Sequence, residues 1–156
     1  MISTAARIED LTLNVTEEIH VHASLEATFA ALLEQLGPFN ETAEDRPMPM
    51  KLEPWPGGRW YRDLGNNTGH FWGHVQVIKP PTLLEISGPL FMSYPAISHL
   101  QYRLRAEGSV TRLTLAHRAI GQIIAEHQGV GQGWTYLFRK IREAAERRGG
   151  GSRGNR

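Results

Sequence analysis

The hydrophobic period changes twice along this chain, and no other sequence feature restricts its fold so strongly. Leu25, Phe29, Leu32, Leu33 and Leu36 recur at helical spacing behind Ser24, a good N-cap, with Glu26 in the first turn and Gly37-Pro38 as the stop. Val130, Trp134, Leu137, Phe138, Ile141 and Ala145 form a second helical stripe, with Arg139, Arg142, Glu143 and Glu146 on its polar side. Between them lie short segments of period 2 separated by turn residues, as an antiparallel sheet requires. A helix-period stripe cannot serve as a strand, so the chain divides into strands and helices before any further detail is read.

The segments follow in order. Leu11–His22 reads as a strand whose phase changes at Thr16–Glu18, which predicts a bulge or bend. Prolines 38, 47, 49, 54 and 56 exclude regular helix over 38–56 beyond a turn near Asn40–Asp45, and leave Met48–Trp55 at best an edge strand. Pro56-Gly57-Gly58 turns into Arg59–Leu64, and Gly65–Gly69 turns into His70–Ile78. The Pro80-Pro81 corner precedes Leu83–Ser87. Ser98–Arg105 and Thr111–Arg118 pair around Glu107-Gly108-Ser109, and Ile120, Ile123, Ile124 and His127 predict a short helix. The order is β, α, six antiparallel strands, and a terminal α. Strands in a row with helices set apart give an α+β fold, with the helices on one face of the sheet.

At 156 residues the chain is sized for one domain, expected over 1–148, with 149–156 (in GGGSRGNR) a flexible tail. Cysteine is absent, which excludes disulfides, thiolate nucleophiles and Cys-ligated metals. No apolar run is long enough to span a membrane, and MISTAARIED lacks the apolar core of a secretory signal, so a cytoplasmic location is expected. The charge is uneven. Residues 1–45 carry nine acidic groups against Arg7, whereas 139–156 carry seven basic groups against Glu143 and Glu146. The basic end lacks interleaved aromatics, so it reads as a solvated terminus and no nucleic-acid partner is expected.

Three landmarks acquire meaning together: PGGRW at Pro56–Trp60, GHVQVIKPPTLLEI at Gly73–Ile86, and GSVTRLTLAHRAI leading to GVGQGW at Gly129–Trp134. In this order and spacing they resemble the START-like (SRPBCC, birch-pollen-allergen-like) superfamily, and within it the heat shock protein 90 ATPase activator-like C-terminal domain family. The likeness covers about residues 11–147. It implies a helix-grip fold, a curved antiparallel sheet wrapped around the long terminal helix with a cavity between them. It also implies fold roles for Gly57 and Gly58 in the hairpin turn, Gly73 in a close-packed strand, and Trp134 at the helix start. The eukaryotic activators carry a separate N-terminal domain for the chaperone, for which these 156 residues leave no room.

Catalytic signatures are sparse. There is no G-x-S-x-G elbow, and Gly57-Gly58 leads into a strand where a phosphate loop would need a helix. His20 with His22, and His70 with His74, share strand faces, yet no carboxylate closes a metal set, so neither metal nor cofactor is expected. The remaining candidate is an apolar pocket under the terminal helix. Trp134, Phe138 and Ile141 would come from the helix, and Trp60, Arg62, His70, Trp72, His74, His99 and Gln101 from the sheet. Arg62 would bind a carboxylate bidentately, while His74 and His99 would orient a carbonyl. The expected partner is a small apolar, aromatic or acyl molecule bound by a monomer or homodimer. A cyclase- or dehydratase-type enzyme and a chaperone-interacting module are the alternatives.

Overall fold

In the computed structural model, residues 7–91 and 94–151 are described. Strand β1 (Thr12–Val21) leads to helix α1 (Leu25–Leu36), where the Ser24 hydroxyl accepts from the Ala27 amide at 3.1 Å. The six following strands are β2 (Lys51–Leu52), β3 (Arg59–Gly65), β4 (Thr68–Lys79), β5 (Leu83–Gly88), β6 (Ala96–Glu107) and β7 (Val110–Gly121). Helix α2 (Val130–Gly151) closes the chain. All neighbouring strands run antiparallel, in the order β1-β7-β6-β5-β4-β3-β2. The sheet is curved and unclosed, and both helices pack on its inner face: a helix-grip fold. The proline-rich stretch keeps only two residues of strand, at the sheet edge, where the missing N–H groups are tolerated.

Three local expectations are corrected. Strand β1 has no bulge: its register with β7 is unbroken from Thr12↔Ile120 to Val21↔Thr111. Leu13, Val15, Glu17, Ile19 and Val21 are all odd-numbered, so a single phase runs through, and Glu17 takes an inward position where Thr135 Oγ1 donates to it at 2.7 Å. The irregularities lie elsewhere, one in β3 at Leu64 and two in β4. Pairing jumps from Trp60↔Gly73 to Tyr61↔Phe71, leaving Trp72 as the extra residue, and from Val75↔Ile86 to Val77↔Glu85, leaving Gln76. The short helix expected from Ile120 is replaced by the last two residues of β7, Ile120 and Gly121, a three-residue link, and a 3₁₀ turn at Ala125–Gly129. Helix α2 continues to Gly151, past the expected domain end, and residues 152–156 of the expected tail lie outside the described residues.

The core lies between the inner sheet face and the helices. Trp60, Leu84, Ile86, Leu100, Tyr102, Leu113 and Leu115 from the sheet meet Leu32, Leu36, Phe138 and Ile141 from the helices, all essentially buried. Close approach of β4 to β5 depends on glycine, since a Cβ at Gly73 would sit 2.7 Å from the Ser87 carbonyl oxygen.

Candidate functional site

The first turns of α2 do not close onto the sheet as its later turns do. Between them lies a cleft of about 330 Å³. Its walls come from five places: Val130, Gly133, Trp134 and Leu137 on α2, Trp60 and Trp72 on β3 and β4, Phe91 beyond β5, Asn40, Glu41, Ala43 and Met48 after α1, and Glu126 and Gly129 before α2. The aromatic rings meet in sequence. Trp60 and Trp72 are edge-to-face at 4.9 Å between centroids, Trp72 and Phe91 at 5.6 Å, and Phe91 and Trp134 lie 6.3 Å apart. Such edge-to-face contacts follow the ring quadrupole and hold the rings at defined angles. The bulge at Trp72 brings its indole to the inner face beside Trp60.

The three indole N–H groups of this wall differ in their partners. Trp60 Nε1 donates to the Leu36 carbonyl at 2.8 Å, fastening the end of α1 to the sheet. Trp134 Nε1 donates to His117 Nδ1 at 3.0 Å. Among the described residues, Trp72 Nε1 is buried without a partner, as is Asn40 Oδ1, although Asn40 Nδ2 donates to the Gln35 carbonyl at 3.0 Å. An unpaired buried polar atom carries a desolvation cost of about 1–3 kcal/mol, which a partner of the right sense would relieve.

His117 stands behind Trp134, inward on β7 and fully buried. An indole N–H only donates, so Nδ1 must accept, and the proton resides on Nε2, which donates to Ser98 Oγ at 3.0 Å. Burial lowers the pKa of this imidazole to about 4. It is therefore a neutral histidine with both ring nitrogens engaged, and it sets the angle of the Trp134 indole.

At the cleft mouth a polar knot ties the loop after α1 to α2. The Tyr136 hydroxyl donates to Glu41 Oε2 at 3.0 Å and also contacts the Asp45 carboxylate. Lys140 Nζ lies 3.2 Å from Glu41 and 3.4 Å from Asp45. The Tyr136 hydroxyl bond, then that of Lys140, holds the Asp45 carboxyl below its ordinary range, and Glu41 raises the Lys140 ammonium. Asp45 adopts a φ of 58°, a left-handed conformation that Asp tolerates better than most residues. Glu126, from the 3₁₀ turn, also lines the cleft.

Of the ten residues expected at the site, Trp60, Trp72 and Trp134 line this cleft. Phe138 and Ile141 are buried further along α2, where the helix–sheet contact is solid, and they do not border it. Arg62 and His70 are register partners that border a surface hollow at the β3–β4 turn. His74, His99 and Gln101 lie on the outer sheet face, away from the helices. The His74 ring meets Phe71 at a tilt, centroids 4.8 Å apart, His99 lies 3.8 Å from Glu85, and Gln101 donates to Glu85 at 2.6 Å. The carboxylate-binding set read from the sequence is thus not assembled. Sequence reasoning missed Asn40, Glu41, Phe91, Glu126 and His117. For His117 a signal existed, since it continues the inward stripe Thr111, Leu113, Leu115.

A family model for the Activator of Hsp90 ATPase homolog 1-like proteins matches residues 22–146. The chain belongs to that family. Among curated proteins, no sequence matches it significantly. Several solved structures share its fold. Protein MLL2253 from Mesorhizobium loti is 18% identical with a TM-score of 0.64, over 86% of this chain and 98% of that one. The Aha1 dimer from Colwellia psychrerythraea is 14% identical with a TM-score of 0.65, over 86% of this chain and 96% of its own. The di-domain ARO/CYC StfQ from the steffimycin biosynthetic pathway is 12% identical with a TM-score of 0.64, over 92% of this chain and 53% of its own. At these identities the likeness is one of fold. Within the family fold, the cleft sits at the N-terminal end of α2, and among the described residues no helix is long and apolar enough to cross a membrane.

Proposed function

We propose that this protein is a cytoplasmic small-molecule binding protein, and that the cleft at the start of α2 holds an apolar, ring-bearing ligand. The observation that carries this reading is the wall itself. Three of the chain's four tryptophans and Phe91 border one space of about 330 Å³. That is the small end of the range of about 300–1,000 Å³ usual for ligand sites. Gly129 and Gly133 support it, because both border the space and a Cβ at either would meet nothing within 4 Å. An enzyme of the cyclase or dehydratase type would need a titratable group free in the cleft with a tuned pKa. His117 does not serve, since both of its nitrogens are engaged and it lies behind Trp134.

Thermal melts against a panel of ring-bearing compounds test the reading. A compound at a hundred times its dissociation constant stabilises the fold by about 2.7 kcal/mol. Gly133→Leu, which projects a side chain into the cleft, abolishes that shift while the variant still melts cooperatively. A panel without a single shift, or shifts untouched by Gly133→Leu, would contradict the proposal.

A further inference from the structure

We infer that the cleft selects organic cations: a protonated primary or secondary amine joined to a ring-bearing body. The inference rests on the binding reading above and gives the ligand a charge. Three independent observations carry it. The first is the charge of the lining. Glu41 and Glu126 are the ionisable carboxylates that border the cleft, and no Lys, Arg or His borders it among the described residues. Lys140 compensates Glu41 from the mouth, but Glu126 has neither an ion pair nor a hydrogen bond among the described residues. An anionic ligand would meet an uncompensated like charge there.

The second observation is the wall. Trp60, Trp72, Phe91 and Trp134 all line the space, in edge-to-face or tilted contact with one another, and an indole ring attracts a cation more strongly than other aromatic side chains do. The third is Asn40. It is 8% exposed and borders the cleft, and its Oδ1 accepts nothing while its Nδ2 is already used. The unmet need on that side chain is for a donor, which an ammonium N–H supplies and a carboxylate does not. Trp72 Nε1, buried and unpaired, asks in turn for an acceptor, which a hydroxyl or ether on the ligand body would provide. The pocket is therefore acidic, aromatic and short of a donor.

Calorimetric titration of the full chain with three matched probes tests the inference: naphthylmethylammonium, naphthylmethanol and naphthoate. The cation binds about tenfold more tightly than the alcohol, a step of about 1.4 kcal/mol, and the anion binds most weakly. Glu126→Gln, an exposed change that leaves the fold intact, cuts the cation's advantage by about threefold or more and leaves the alcohol unchanged. If the alcohol or the anion binds as tightly as the cation, or Glu126→Gln leaves the preference whole, the inference is overturned and the binding reading stands. If none of the three binds, both fall together.

Discussion

The two halves of α2 share one sequence period and do different work. From Phe138 to Ala145 the helix carries large side chains and alanines alternately set against α1 and the sheet, and Phe138, Ile141 and Ala145 are essentially inaccessible. From Val130 to Leu137 the same face carries Gly133 and Trp134, and the sheet opposite offers Trp72, bulged out of register. From Phe138 onward the inward side chains are tightly packed. Before it, glycine leaves volume unfilled, and Trp72 Nε1 and Asn40 Oδ1 stay unpaired among the described residues. A helix stripe thus reports which side is buried, but whether the burial is solid or hollow depends on residue size and on the opposing strand.

The largest expected effect lies in the solid half. Phe138→Ala costs about 3–5 kcal/mol in urea melts, and a loss under about 1 kcal/mol would show that half to be loosely packed as well. The next tests the support behind the open half. The His117 imidazole has a folded pKa of about 4 against an ordinary value of 6.5. As pH falls the unfolded chain takes up that proton first, so stability is full above the ordinary value and drains away down to the folded one. The loss amounts to about 3 kcal/mol across that window. It is read as the slope of unfolding free energy against pH, and His117→Gln flattens that slope. A slope equal in wild type and variant would mean His117 is already charged or solvated.

Two smaller changes sharpen the contrast. The Tyr102 hydroxyl is buried in the solid core with no partner among the described residues, and burial raises its pKa. Tyr102→Phe stabilises the fold by about 1 kcal/mol, since it removes an unpaired group without changing shape. Destabilisation would reveal a buried partner such as water. Gly133→Ala meets no neighbour and gains helix propensity, so it raises stability by up to about 1 kcal/mol. The same change in a filled helix–sheet contact would lower stability, and a loss at Gly133 would place it in such a contact.

Much of the architecture was legible because period survives folding. Both helices, the strand sequence and the inward helix stripe follow from spacing alone. The site was legible only where a large aromatic marked it, at Trp60, Trp72 and Trp134. Face arithmetic failed on β4 because it assumes an unbroken pleat. The bulge at Trp72 turns this indole to the inner face while His74 stays on the outer one, though the two are two residues apart. His99 and Gln101 alternate with Leu100 and Tyr102, and the buried apolar set marks the inner face once the helices are in place. Asn40, Glu41 and Asp45 had no period to read. Their position comes from the Glu41↔Pro47 bridge and from Tyr136 and Lys140, ninety residues or more distant in sequence.

The central claim is that the hollow at the start of α2 is where a ligand sits. The four tryptophans report on it directly, because each indole N–H gives its own nuclear magnetic resonance signal and Trp55 is 54% exposed outside the cleft wall. Titration with naphthylmethylammonium shifts the Trp72 and Trp134 indole signals most, with Trp72 moving as its N–H changes surroundings, and leaves Trp55 in place. Movement of Trp55 alone, or four unmoved signals at a concentration that saturates binding by calorimetry, would contradict the account.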